Sequence, residues 1–299
     1  MVRLAVPATA ANLGPGYDCL GLALALYNYL ELEPARRWQL VIRGEGAEGL
    51  PRDESNLVWQ SMEHLWRQTG TPVPCVKLTL VNGIPLGRGL GSSAAAIVGG
   101  LSLANHWLDK PLDKEELLQL AAELEGHPDN VAPALLGGLC LSVTEAGRTI
   151  ALNWDLPPHL RLAVCIPDFS LSTQAARAVL PRTVAHADAV FNLSRTALLL
   201  AALAQKRLDL LGTAARDRLH QEYRKDLTPG FDAVVTAAVE AGALACTLSG
   251  AGPSLLAFVV SAADGEKAGR AMAAAFGRWG VQARWVVLRP DTRGVRAIK

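Results

Sequence analysis

The sequence predicts an α+β protein of two domains, and three observations carry that expectation. Strand-like and helix-like segments intermix without the regular β-α alternation of a doubly wound sheet, and several strands are joined as hairpins. A proline-rich turn, NWDLPPH at 153–159, divides the chain near its middle, which puts one domain at 1–155 and the second at 156–299. With 299 residues, 50% of them hydrophobic and 19% charged, each half can bury a core of its own.

The elements follow in order. VRLAV (2–6) and LALALYNYLELE (22–33) read as strands flanking a glycine-containing loop, PATAANLGPGYDCLG, and WQLVIRG (38–44) as a third strand. In NLVWQSMEHLWRQTG (56–70), Leu57, Met62, Leu65 and Trp66 recur at near-helical spacing and a glycine ends the run. CVKLTLV (75–81) alternates like a strand with one wet face. From Ser92, SSAAAIVGGLSLANHWL is apolar nearly all round, as suits a helix buried between layers. DKEELLQLAAELEG (113–126) starts with an aspartate at the N-cap position and an acidic first turn, and stops at glycine. LCLSV and RTIALN form a hairpin. In the second half, RLAVCIP (161–167) is a strand, helices are expected around 172–180, 188–222, 228–242 and 263–279, and strands around 243–248, 254–260 and 284–290.

Composition excludes some classes of function. With 29 basic against 28 acidic side chains the net charge is +1, so no global field attracts nucleic acid or an anionic membrane; any anion must be bound locally. Five cysteines lie far apart with no C-x-x-C pair, the pattern of reduced thiols. No secretory signal opens the sequence, and no apolar run is expected to reach the roughly 18 residues of a membrane span, so a cytoplasmic location is expected.

Three glycine-bearing segments carry the chemistry. PLGRGLGSSAAA (85–96) alternates three glycines and then presents two serines at a helix start. A plain turn does not need that pattern. The dinucleotide fingerprint G-x-G-x-x-A fits residues 89–94 but belongs after the first strand of a domain, whereas some 80 residues precede it here. A phosphate cradle fits better: close backbone, open N–H groups, a helix N-terminus and a hydroxyl for a metal. No lysine follows a glycine, so the loop is not a Walker P-loop, and an acidic metal ligand is needed elsewhere. ELEGHPDNVAPALLGG (123–138) supplies Glu125, His127, Asp129 and Asn130. The first loop adds Asn12, Gly14, Gly16 and Asp18, and TLSGAGPSLLAF (247–258) a third glycine cluster.

VPATAANLGPGYDCLGLAL, PLGRGLGSSAAA and LSGAGPSLLAF resemble, in order and spacing, the three motifs of the GHMP kinases, and the likeness runs from Val6 to about Phe258. EGHPDNVAPALLGG and QEYRKDLTPG are similar to the branch acting on the amino acid L-homoserine. The resemblance implies the two-domain GHMP kinase fold, an N-terminal domain like ribosomal protein S5 domain 2 and a ferredoxin-like C-terminal domain. It implies ATP with Mg²⁺ and phosphorylation of L-homoserine to O-phospho-L-homoserine on the way to threonine, with no nucleic acid or membrane partner; a homodimer stays open. ATP falls to Pro85, Leu86, Gly87, Arg88, Gly89, Leu90, Gly91, Ser92, Ser93, Ala94 and Ala95. The metal falls to Ser93 and Glu125, with Glu123 as the alternative carboxylate. Asn12, Asp18, His127, Asp129, Thr173, Arg177, Arg224 and Gly252 would contact homoserine, and Asn130 with Asp129 would orient its hydroxyl. The first motif has no lysine, so a dedicated base is not expected, and Asp129 as base stays open. A sugar or mevalonate-like substrate, or a catalytically inactive GHMP-fold regulator, are the competing readings.

Overall fold

The structure, a computed structural model, describes residues 1–298. Small and β-branched residues near the N-terminus build two long strands, β1 (Val2–Asn12) and β2 (Gly16–Pro34), paired antiparallel from Val2↔Leu32 to Asn12↔Gly16. The loop expected over 7–21 is therefore mostly strand. Register shifts at Pro7/Ala8 and Ala11/Asn12 absorb the irregular residues, and Asn12, Leu13 and Gly14, all at positive φ, confine the turn to the tip.

Strand β3 (Gln39–Gly44) leads through α1 (Leu57–Gln68) to β4 (Val76–Asn82), which pairs parallel with β3 and antiparallel with β2. Helix α2 (Ser92–Asn105) is buried along nearly its whole length, as its all-round apolar sequence requires. The aspartate before α3 (Lys114–Glu125) forms a capping box: Asp113 accepts from the N–H groups of Glu115 and Glu116, and the Glu116 carboxylate accepts from the Asp113 N–H. Gly126 ends α3 at φ +84, and Pro128 then opens α4 (Pro128–Leu136) at its first turn. One short polar segment thus stops one helix and starts the next. β5 (Leu139–Glu145) extends β2, and β6 (Arg148–Trp154) completes the expected hairpin.

The second sheet begins with β7 (Arg161–Pro167), followed by α5 (Thr173–Ala178) and α6 (His186–Ala204). The helix expected across 188–222 breaks after Ala204. Lys206 takes φ +59, and the Asp217 carboxylate accepts from the N–H groups of Leu219, His220 and Gln221, starting a new turn. Short helices α7 (Leu211–Ala214) and α8 (Gln221–Arg224) fill the interval. By length and composition α6 could cross a membrane, which corrects the expectation that no run is long enough. Its Asn192 and Thr196 nonetheless donate to the Pro15 carbonyl and so hold the β1–β2 turn.

Helix α9 (Phe231–Glu240), β8 (Ala245–Leu248), β9 (Leu255–Val259), α10 (Ala262–Arg278) and β10 (Ala283–Leu288) complete a four-stranded antiparallel sheet in the order β10-β7-β9-β8. Its strands alternate. Ala163, Cys165, Ala257 and Val259 pack into a core with residues of α9 and α10, while Leu162, Val164, Leu256 and Phe258 join the large core of the first sheet. A short strand, β11 (Arg296–Ala297), returns to the edge of β1 and brings the first sheet to seven strands.

Phe258 is fully buried in the core that the two sheets share. Phe258→Ala should cost about 3–5 kcal/mol, and chemical denaturation followed by fluorescence and by far-ultraviolet circular dichroism should show one coincident transition at lower denaturant concentration.

Candidate active site

The three glycine-bearing segments meet at a cleft of about 460 Å³. Its walls include Asn12 and Asp18 from the first segment, the loop from Leu86 to Ser93, and Gly252 from the third. Glu125, His127, Asp129, Asn130, Thr173, Arg177 and Arg224 complete them. Three expected residues do not face this cleft. Pro85 lines a separate groove beside Asp168 and Arg284, while Ala94 and Ala95 are buried in the core. The Ala95 N–H is also committed to the Gly91 carbonyl, so it has no donor left for a phosphate.

Close backbone approach explains the glycines. Gly87, Gly89 and Gly91 have φ of 62°, 71° and 67°. A Cβ on Gly89 would lie 2.2 Å from the Ser249 carbonyl oxygen, and one on Gly91 only 1.8 Å from the Thr9 hydroxyl. Gly91 is the N-cap of α2 and supplies no capping side chain, so the amides of Ser92 and Ser93, which line the cleft, remain open as an anion cradle. Beside them the Ser93 hydroxyl donates to Glu125 Oε1 at 2.7 Å. Glu123 instead accepts from Gln119 at 2.8 Å and does not line the cleft. Burial raises the pKa of the Glu125 carboxyl, opposed by the bond from Ser93.

The far end of the cleft is rich in charge. Asp129, only 2% exposed, accepts at Oδ1 from His127 Nδ1 at 2.7 Å and from Asn130 Nδ2 at 3.3 Å, leaving Oδ2 without a partner among the described residues. The Asp129 bond raises the His127 pKa against the effect of burial. Arg177 forms a two-pronged pair with Asp18, Nη1 to Oδ2 at 2.9 Å and Nη2 to Oδ1 at 2.8 Å, and also donates to the Tyr17 hydroxyl at 2.9 Å. Arg224 differs. It is 2% exposed and donates to the carbonyls of Ala176 and Gly250, and among the described residues no carboxylate lies within ion-pair distance of it. A buried guanidinium without a counterion is costly, and burial accordingly lowers its pKa.

Several contributors lie outside the sequence expectations. Burial pushes the His220 pKa down, so the ring is neutral; Nε2–H donates to the Gly14 carbonyl at 2.8 Å and Nδ1 accepts from Arg224 at 3.2 Å. Both arginines lie over the Tyr17 ring, whose centre is 5.7 Å from the Arg177 guanidinium carbon and 5.2 Å from that of Arg224. Thr9, fully buried, donates through Oγ1 to Asn130 Oδ1 at 2.7 Å and through its N–H to the Leu90 carbonyl at 3.1 Å. Thr9 thus orients Asn130 so that its amide nitrogen is turned away from β1, and ties it to the glycine loop. Asn28, Asn56 and Asn82, with Leu30, Leu50 and Leu80, extend the cleft into a slot of apolar walls and amide groups. Asn28 and Asn56 read as ordinary strand and cap residues in sequence, and only the pairing of β2 with β4, which sets Asn28 opposite Asn82, and the packing of α1 on α2 bring these residues together.

Comparison with known proteins agrees with this geometry. The family profile described as "GHMP kinases N terminal domain" matches residues 56–138, and the one described as "GHMP kinases C terminal" matches 199–278. A homoserine kinase of Desulfitobacterium hafniense is 47% identical over 298 residues, covering 100% of both chains. One from Gloeobacter violaceus is 52% identical over 257 residues, 84% of this chain and 85% of its own. The crystal structure of homoserine kinase from Cytophaga hutchinsonii superimposes with a TM-score of 0.89 at 31% identity, covering 99% of this chain and 97% of that one.

Two outcomes are expected from these contacts. Thr9→Val removes the hydroxyl that fixes Asn130, so turnover should fall by about tenfold or more with little change in KM, and Thr9→Ser should restore it. Because its pKa is raised, His127 should titrate above the ordinary 6.5. Its pairing with Asp129 then contributes stability in full below that ordinary value and loses it as pH rises through the raised one. Histidine NMR titration of the intact protein and of Asp129→Asn checks this, the variant moving the midpoint down.

Proposed function

Because the chain belongs to the homoserine kinases of the GHMP kinase family, we propose that it transfers the γ-phosphoryl group of ATP to the side-chain hydroxyl of L-homoserine, giving O-phospho-L-homoserine. The observation that carries the reading is the buried, counterion-free Arg224 facing the same cleft as the open amides of α2. One end suits an α-carboxylate and the other a polyphosphate.

In this reading the division of labour follows the halves of the chain, with 1–155 holding the nucleotide and 156–299 supplying the two arginines. The slot lined by Asn28, Asn56 and Asn82 takes the base, and the loop from Leu86 to Ser93 takes the phosphates. Arg224 and Arg177 hold the substrate carboxylate, while Asp18 and Asn12 hold its ammonium. Thr173 and Gly252 wall the substrate in. Asp129 Oδ2, without a partner among the described residues, accepts the hydrogen bond of the attacking hydroxyl at the cleft wall, with His127 keeping the carboxylate in place. Asn130, held by Thr9, turns that hydroxyl toward the phosphate loop.

Phosphoryl transfer through a loose transition state asks for in-line placement and charge neutralisation more than for a strong base, and the first motif contains no lysine to serve one. The Ser93 hydroxyl and Glu125 carboxylate, hard oxygen donors 2.7 Å apart, fit Mg²⁺. Among the described residues no group of three or more His, Cys, Asp or Glu could hold a metal ion, so the protein's share would be these two ligands, with phosphate and water completing the shell. When bound, the ion supplies charge neutralisation at the phosphates. The amides of Ser92 and Ser93 take up the charge that develops on the transferred group.

A coupled ADP-release assay across L-homoserine, mevalonate and galactose should show turnover with homoserine far above the other two; equal use of a sugar would sink the reading. Arg224→Ala should raise the homoserine KM by roughly 30-fold or more, Asn130→Ala should lower kcat by about 100-fold, and Glu125→Gln should be far more damaging than Glu123→Gln.

A further inference from the structure

The Asp18–Arg177 pair has a charge arrangement that its proposed role in holding substrate does not by itself require. Both prongs of the Arg177 fork are already engaged by both oxygens of Asp18, at 2.8 and 2.9 Å, with side chains 38% and 34% exposed at the cleft wall. Deeper in, Arg224 is 2% exposed with no carboxylate of its own. Both arginines lie over the one Tyr17 ring, and with Asp18 they line the same cleft, so an anion that reaches Arg224 binds beside the closed pair.

Resting on the homoserine kinase reading, we propose that the Asp18–Arg177 pair is a gate that only a zwitterion opens. A ligand carrying both charges exchanges partners with the pair. Its ammonium takes the place of Arg177 at Asp18, its carboxylate takes the place of Asp18 at Arg177, and the same carboxylate supplies the counterion that Arg224 lacks. One ion pair inside the protein is given up and every charge ends with a partner. A ligand with a carboxylate alone can open the pair only by stranding Asp18, and one with an ammonium alone only by stranding Arg177. An unpaired charge in a partly desolvated cleft is the costly outcome, so each half-charged alcohol is opposed by the closed pair in addition to lacking a contact. Specificity is then built into the unliganded protein.

The gate differs from simple contact recognition in what Asp18→Asn does to 4-hydroxybutanoate, which is homoserine without its ammonium. Asp18 makes no favourable contact with that molecule, so a contact picture predicts no gain. Opening the gate frees the Arg177 fork, and the inhibition constant of 4-hydroxybutanoate against L-homoserine should tighten by about fivefold. Asparagine suits the backbone of this position, where φ is 55°, so the variant should fold. Removing a negative charge could also help an anion by relieving repulsion, and a double-variant cycle separates the two. In an Arg177→Met background the gate predicts no gain from Asp18→Asn, and a gain that persists there overturns it. The reciprocal arm uses 3-aminopropan-1-ol, homoserine without its carboxylate, which should bind about fivefold tighter to Arg177→Met than to the unaltered protein. Arg177→Gln, which also removes the charge but keeps a polar side chain, replaces the methionine variant if that one does not fold. If the unaltered protein phosphorylates L-homoserine and neither half-charged alcohol gains, the gate alone is wrong; if it does not phosphorylate L-homoserine, the functional reading fails first.

Discussion

The approach of the Gly89 backbone to the carbonyl of Ser249 is the constraint on which the rest of the site depends. At that crossing a Cβ would lie 2.2 Å from the Ser249 oxygen, and two residues later another would lie 1.8 Å from the Thr9 hydroxyl. The crossing is held from both sides: the Ser249 hydroxyl donates to the Gly89 carbonyl at 2.7 Å, and the Gly250 N–H donates to the Ala11 carbonyl at 3.1 Å. The glycine loop between β4 and α2 is thereby fixed against the third glycine segment and against the tip of β1. Only with those three backbones in contact do the open end of α2 and the charged end line one cleft.

Two sets of polar groups around the cleft differ in how fully they are paired. Asp217 is fully engaged, accepting from Asn192 and from three backbone amides, and the neutral His220 beside it uses both ring nitrogens. These groups are buried and saturated, which rigidifies the turn that presents Asn12 and Asp18. Arg224, Asp129 Oδ2 and the first-turn amides of α2 are left incomplete. Such groups are expensive in a buried place unless a ligand completes them, and all of them look into one cleft.

Much of this was legible in the sequence because the signals are local. Alternate glycines before an apolar helix mark a loop forced to positive φ, and Asp113 with Glu116 marks a helix start; both hold in the structure. Glu125 could be separated from Glu123 only once the Gly126 stop and the path of α3 had set which carboxylate reaches Ser93. Thr9, Tyr17 and His220 were not legible. Each acts across a long interval of sequence, 121 residues between Thr9 and Asn130 and 206 between Gly14 and His220, and no periodicity encodes a contact of that kind. Ala94 and Ala95 show the opposite error. A motif is contiguous, but a helix turns its successive side chains in different directions, so residues adjacent to the loop in sequence point into the core. The break after Ala204 was missed for a related reason, since an aspartate that caps through its side chain looks in sequence like any other polar residue of a helix.

The pairing of β11 with β1 has a consequence for how the protein is made. Leu4 and Ala5 find their outer partners only in Ala297 and Arg296, so one edge of the first sheet stays open throughout synthesis of nearly all the intervening chain. At about 5–20 residues per second that interval is roughly 15–60 s. The inner partner, β2, is by contrast available as soon as the first hairpin is complete. The seven-stranded sheet therefore assembles from its centre outward, and closes last at the strand that was translated first.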